Sequence, residues 1–165
     1  MATERLLEAN ELMIERFQPK AKNRFIMYID GIPAWLIKTA AKPSINIAKQ
    51  TIDFMNIKRY YAGKAEWQEI EITLYDPVVP SAAQSVMEWV RLHHESLTGR
   101  DGYVDFYKKE IDLYGIGPVG DLIEKWRLYG THIVSAAFGD YDFADDGAPV
   151  EISLTLSYDW AVLEY

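Results

Sequence analysis

Residues 150–158, Val-Glu-Ile-Ser-Leu-Thr-Leu-Ser-Tyr, alternate strictly between large apolar and small polar or acidic side chains. Successive side chains of a strand point to opposite faces. The run therefore reads as a strand with Val150, Ile152, Leu154, Leu156 and Tyr158 on a packed face. Glu151, Ser153, Thr155 and Ser157 are left on a wet face. Tyr60–Asp76 (YYAGKAEWQEIEITLYD) ends in the same pattern. There Ile70, Ile72 and Leu74 point one way and Glu69, Glu71 and Thr73 the other. Two such strands describe a wall with a dry side and a solvent side, and no group of catalytic character lies between them.

The rest of the chain supplies more strands and little helix. Asp30-Gly31 between Phe25–Ile29 and Ile32–Lys38 predicts a hairpin turn, with Pro33 marking an edge or bulge. Ser44–Asn56 alternates loosely and tilts basic, and Ala62-Gly63 predicts a turn inside Tyr60–Lys64. Ser81–Ser96 is the clearest helix. Ser81 and Gln84 form a capping box, and Ala82, Val86, Trp89, Val90, His93 and Leu97 recur at helical spacing. Tyr103–Tyr114 reads as a strand with a break at Lys108-Lys109. GIGPVG at 115–120 reads as a turn, and Asp121–Tyr129 and Thr131–Phe138 as two strands broken or bent at Gly130. Gly139–Pro149 is an acidic loop. Thr3–Phe17 predicts an amphipathic helix, with Leu6, Leu7, Met13, Ile14 and Phe17 on one stripe.

The expectation is a mainly β (α+β) fold. It is a β-sandwich or open barrel of about seven strands, with one packed helix at about 81–97 and an N-terminal helix at about 3–17. Residues 1–21 form the arm and 22–165 a single β domain.

Charge is distributed unevenly. Residues 1–70 hold 11 basic and 8 acidic groups, whereas 71–165 hold 6 and 17. Six basic residues, Lys38, Lys42, Lys49, Lys58, Arg59 and Lys64, span 38–64 against one acid, Asp53. Seven acids and no base follow Arg127. The net charge of −8 argues against gripping nucleic acid, which requires lysine and arginine on phosphates. One copy's basic part can instead meet another's acidic part. The blander alternative is a solvated surface of uneven charge.

The segments with a superficial look of chemistry read as turns, core and solvated carboxylates. His93 and His94 are adjacent on a helix and cannot share a metal from that element alone. The chain has no cysteine, so it has no thiolate site. In GIGPVG, Pro118 removes a donor that a phosphate would need, and no βαβ unit surrounds it. Asp140, Asp142 and Asp145 lack the calcium-loop pattern with its closing glutamate. Glu69 and Glu71 share a strand face without a third polar partner, so they read as solvated carboxylates rather than an acid–base pair. Trp35, Trp67, Trp89, Trp126 and Trp160 read as core packing. No enzyme activity, metal or cofactor is expected.

Several segments in order carry a resemblance: FIMYI, KTAAKPSINIAKQ, YYAGKAEWQEIEITLYDP, the helix with Val86-Met87-Glu88-Trp89, GYVDFYKKEIDLYGIGPVGDLIEKWRLYGTHIVSAAFG, and EISLTLSYDWAVL. Over residues 22–165 their order and spacing resemble the tail tube proteins of contractile-tailed bacteriophages, a family related to type VI secretion tube proteins. The resemblance implies a structural subunit that forms hexameric rings. The rings stack into a tube inside a contractile sheath, around a tape measure protein and later the ejected DNA. It implies as partners further copies of the chain, the sheath, the tape measure and the baseplate and tail terminator proteins. DNA would pass without specific binding, and no membrane binding is implied. The setting implied is a virion tail assembled in host cytoplasm. A tube subunit of a related injection system, a terminal or baseplate-proximal ring, and a monomeric ligand-binding β-barrel are the alternatives.

In a tube the wet face becomes a lumen, and a basic lining would bind the DNA and stall it. Glu69, Glu71, Thr73, Glu151, Ser153, Thr155 and Ser157 are the candidate lining. Stacking identical rings is a head-to-tail contact needing two complementary surfaces. Lys38, Lys42, Lys49, Lys58, Arg59 and Lys64 are the candidates on one side, and Asp140, Asp142, Asp145 and Asp146 on the other. The N-terminal helix would clamp a neighbouring ring or cover its own subunit.

Overall fold

A computed structural model describes residues 18–165. The helix expected at 3–17 lies outside the described residues. Nine strands run in chain order: β1 (Phe25–Ile29), β2 (Ile37–Ala40), β3 (Ser44–Phe54), β4 (Ile57–Gln68), β5 (Ile70–Tyr75), β6 (Lys109–Ile116), β7 (Leu122–Ala137), β8 (Glu151–Ser157) and β9 (Trp160–Leu163). Helix α1 (Ala82–His93) and the single turn α2 (Val104–Tyr107) lie between β5 and β6. Seven strands form one open antiparallel sheet, β1-β6-β7-β8-β5-β2 with β9 also on β7, while β3 and β4 pair only with each other. The expected mainly β, open architecture with one principal helix is what the chain adopts.

β7 organises the sheet. Its 16 residues bend at Gly130, which sits at φ +65. A side chain there would collide with the Asp159 carboxylate, 2.1 Å from the Cβ position. Before the bend β7 pairs with β6 and β9; after it, β7 pairs with β8, apart from Thr131, which still lies opposite Lys109 of β6. The strand therefore passes from one half of the folded sheet to the other, and the core lies between the halves and α1. Met27, Ile72, Leu74, Val86, Ile111, Leu128, Ile152 and Leu156 are fully buried there, and Trp89 is nearly so.

The helix start differs in detail from the capping box. Gln84 N–H donates to Ser81 Oγ at 3.4 Å, but the other donors go to Asp76, whose Oδ1 accepts from Ala82 and Ala83 N–H at 3.0 and 3.3 Å. A carboxylate at this position also offsets the helix dipole. The helix ends at His93 rather than near 97, because His94 N–H closes the last turn on Val90 O and His94 then pairs with Asp101.

Four local expectations are corrected. β1 and β2 form no hairpin: Ile29 and Ile32 make a single bridge at Asp30-Gly31, then Pro33 and a 3-10 turn at Ala34–Leu36 redirect the chain. β1 joins β6 and β2 joins β5 instead. Ala62-Gly63 is not a turn but the middle of β4, and the reversal lies at Met55-Asn56, with Met55 at φ 52. Gly63 faces a bulge at Ala48, whose carbonyl oxygen lies 3.0 Å from where a Cβ would stand. The expected strand at 103 begins only at Lys109, after the helical turn α2. Finally, Trp35 and Trp160 are exposed, while Trp67 and Trp126 pack at the core margin.

Candidate assembly and lumen surfaces

β2, β5, β8 and the second half of β7 form a four-strand wall whose two faces are separated row by row. On the dry face Ala40, Ile72, Leu154 and Ala136 lie in one cross-strand row, and Ile70, Leu156 and Ile133 in the next. On the opposite face Thr39, Thr73, Ser153 and Ala137 make one row, and Glu71, Thr155 and Ser135 another. The two alternating segments of the sequence are thus direct partners. Glu69, in the break between β4 and β5, joins Glu71, Thr155 and Ser157 along a polar groove that continues to Glu66 and Gln68. All seven candidate lining residues lie on or beside this surface.

One base shares it. A bulge in β2 places Lys38 beside Glu151, with which it forms an ion pair, and over the Tyr75 ring at 5.5 Å. The hydrogen bond to Glu151 raises the Lys38 pKa. Lys38 is therefore engaged by a carboxylate of its own chain.

Lys42 is engaged internally as well. Glu124 at the start of β7 is buried, 6% exposed, and its carboxylate accepts from Lys20, from Lys42 at 2.8 Å and from Trp126 Nε1 at 2.5 Å. Burial alone raises the carboxylate's pKa. The hydrogen bonds from Lys20, Lys42 and Trp126 outweigh it and hold the value at about 2. This cluster ties the lead-in segment at Lys20 and the base of β3 to β7. No local sequence pattern marks Glu124 as a carboxylate turned inward, since its partners Lys20 and Lys42 lie 104 and 82 positions away.

The cluster has a pH signature. Glu124 has a folded pKa below its ordinary 4.5, so its contribution is present above that value and is lost as pH falls toward 2. The shift corresponds to roughly 3 kcal/mol. Glu124→Gln is expected to lower stability by about 2–3 kcal/mol at pH 7, with the gap to wild type closing by about pH 2. Urea unfolding across that range checks it; parallel stability curves would show that Glu124 is not the group responsible.

The remaining basic candidates, Lys49, Lys58, Arg59 and Lys64, all lie on the β3–β4 hairpin. This ribbon spans 44–68, so its strands run about 35–40 Å. It is almost wholly exposed. Trp67 packs on Tyr158 at its root, 5.9 Å between ring centroids. Beyond the Ala48 bulge one face carries Ile52, Phe54, Ile57 and Tyr61 with Arg59, each more than half exposed among the apolar four. The other carries Lys49, Thr51, Asp53, Lys58 and Tyr60. An isolated two-stranded ribbon is marginal in water, and contiguous exposed apolar surface of this kind marks an interaction site.

The acidic candidates Asp140, Asp142, Asp145 and Asp146 stand in the exposed loop between β7 and β8. Among the described residues none of them makes an ion pair. His94 hydrogen-bonds Asp101 at 2.8 Å, whereas His93 stacks on Tyr107 at 4.4 Å and meets His132 edge-on at 6.2 Å. Among the described residues no three His, Asp or Glu side chains converge as a metal site would require.

A sheet with one buried and one polar face, a flanking helix and an unpartnered ribbon invites comparison with assembly proteins. No family model matches the sequence. No curated protein matches it at a significant level. Solved structures do match. A chain of the sheath/tube terminator of PVC, an extracellular contractile injection system in its extended state, superposes with a TM-score of 0.72 at 15% identity over 91% of this chain and 99% of that one. The tube-terminating cap of the anti-feeding prophage AFP gives 0.69 at 18% identity over 92% and 95%. A chain of the PVC sheath–tube complex gives 0.63 at 18% over 96% and 99%. The fold is that of contractile injection tube and terminator structures. At these identities the likeness concerns the fold, and it extends over nearly the whole length of each chain.

Proposed function

We propose that the chain is a structural subunit of a contractile phage tail tube, forming hexameric rings that stack inside a sheath and conduct DNA. The observation that carries this reading is the four-strand wall, apolar behind and lined in front by hydroxyls and carboxylates. Its bounding strands, β2 and the second half of β7, each have one edge unpaired among the described residues. Unpaired edges are liabilities that a ring removes by pairing them across copies. Six walls would make a barrel of about 24 strands, about 115 Å around and about 37 Å across before strand tilt widens it. That encloses a duplex. The neutral-to-acidic front then repels phosphate, and the Lys38–Glu151 pair keeps the base on that face from presenting free charge.

The hairpin fits a second role within the same reading. Its apolar distal face would pack on an adjacent copy, and the helix side of the subunit would face the sheath. The tape measure protein would occupy the lumen before the genome, with assembly in the host cytoplasm. A second reading places the chain as the terminal ring of such a tube. It is favoured by the higher TM-scores to the PVC terminator and AFP cap structures than to the PVC sheath–tube complex. Counting copies per particle separates the two, since a terminal ring contributes one ring and a tube subunit many.

The test is negative-stain electron microscopy of the purified protein at high concentration, with its mass in solution alongside. Sixfold rings or hollow tubes are expected. A strictly monomeric protein at every concentration, with or without added baseplate, would overturn the reading.

A further inference from the structure

Among the described residues, two concave surfaces lie outside the wall's polar face and the hairpin, and the more basic of them is the more informative. Between the start of β1, the end of β6 and the start of β7 lies a groove of about 340 Å³. Phe25, Leu113, Ile116 and Trp126 supply apolar lining, and Lys22 and Arg24 stand beside them. Glu124 lies in the same groove, but Lys20 and Lys42 both bind it, so the local balance remains strongly basic. The groove is therefore suited to an aromatic side chain flanked by acids.

The chain carries such a segment. In Gly139–Pro149, Tyr141 and Phe143 stand almost wholly in solvent, interleaved with Asp140, Asp142, Asp145 and Asp146. The loop has its own order: Asp142 Oδ1 accepts from Ala144 N–H at 2.9 Å, and Asp145 Oδ1 from Ala148 N–H at 3.2 Å. Its end is tied to the wall by Asp76 N–H donating to Val150 O at 3.1 Å. Exposed aromatics on a braced acidic loop are the complement of an apolar groove with basic margins.

Position adds an independent argument. The groove sits where β7 begins and the loop where β7 ends, at opposite ends of the longest strand. One copy cannot join the two. A second copy placed end to end can, and the contact repeats without closing, which builds a filament rather than a dimer.

We propose that the 139–149 loop of one copy docks Tyr141 or Phe143 into the Lys22/Arg24 groove of the copy stacked on it. This rests on the reading of the chain as a stacking subunit, and it makes the groove margin, rather than Lys58 and Arg59, the partner of the acidic loop. Burying an aromatic anchor supplies most of the affinity and the flanking charges the orientation.

The natural absence of cysteine makes the test clean. A Lys22→Cys, Phe143→Cys double variant, assembled and then oxidised, is expected to give a ladder of covalent multimers on a non-reducing gel, with each single variant stopping at dimers. In parallel, Lys22→Glu/Arg24→Glu and Asp140→Lys/Asp142→Lys are each expected to raise the concentration needed for stacking about tenfold or more, and an equimolar mixture to restore it. Tubes that form without a ladder would overturn the docking while leaving the tube reading intact. A wild-type chain that forms neither rings nor tubes, together with no ladder, would remove both. A crosslink from Lys22→Cys to Ile14→Cys in place of Phe143→Cys would give the groove to the N-terminal segment and overturn the proposal as well.

Discussion

Replacing Ile52, Phe54 and Ile57 together by serine is expected to abolish self-assembly while leaving the unfolding midpoint of the subunit within about 2 °C of wild type. The two halves of this result have one cause. The three side chains are 56%, 68% and 63% exposed, so the isolated subunit draws little hydrophobic stabilisation from them. They share the distal face of a ribbon whose root packs on the domain through Trp67 and Tyr158. Burying each in a neighbouring copy would contribute about 1.5–3 kcal/mol. Losing three weakens every contact by roughly a thousandfold or more. A ring multiplies that loss by its number of interfaces. Sedimentation velocity and electron microscopy read assembly, and thermal unfolding reads the fold. Normal tubes from the triple variant would show that the ribbon is not an assembly arm. A large fall in the midpoint would show that it packs on its own subunit.

The sequence spoke clearly where one face of an element is buried and the other wet. Val150–Tyr158 and Ile70–Leu74 alternate because the core and the solvent impose a period of two on them. Their faces were therefore legible, and so was the helix starting at Ala82. It was far less clear where neither face of a strand is buried in the monomer. β3 and β4 show loose alternation because no core disciplines it, and Gly63 read as a turn when its task is to let the Ala48 bulge approach. Pairing partners were also hidden. Asp30-Gly31 does form a tight bridge, yet Pro33 and the 3-10 turn send the next strand to β5, a long-range choice that no local signal records. The charge asymmetry was visible in the sequence, but its division was not. Lys38 and Lys42 are engaged by Glu151 and Glu124 of the same chain, more than 80 positions away. Only Lys49, Lys58, Arg59 and Lys64 of the basic segment remain on the projecting ribbon.

The same logic sets the largest expected functional effect. A Glu71→Lys, Ser153→Lys variant changes two exposed residues on the polar face of adjacent strands β5 and β8, outside the distal apolar face of the hairpin and the Lys22/Arg24 groove. Neither side chain is in the core, so folding and tube formation are expected to proceed. The charge of the wall rises by three per copy, or about 18 in the proposed ring of six. If this face is the proposed lumen, a lining of that sign neutralises phosphates and releases their counterions, so DNA is expected to bind there. Variant tubes are expected to retain short duplex DNA at low salt and to release it steeply as salt rises, whereas wild-type tubes retain none. In a tail that delivers DNA, the fraction of intact particles that complete delivery is expected to fall about a hundredfold. A co-sedimentation assay at two salt concentrations checks the first part, and titre per counted particle the second. Variant tubes that neither bind DNA nor slow its delivery would place this face outside the lumen, and the ring would then have to be built with a different wall turned inward.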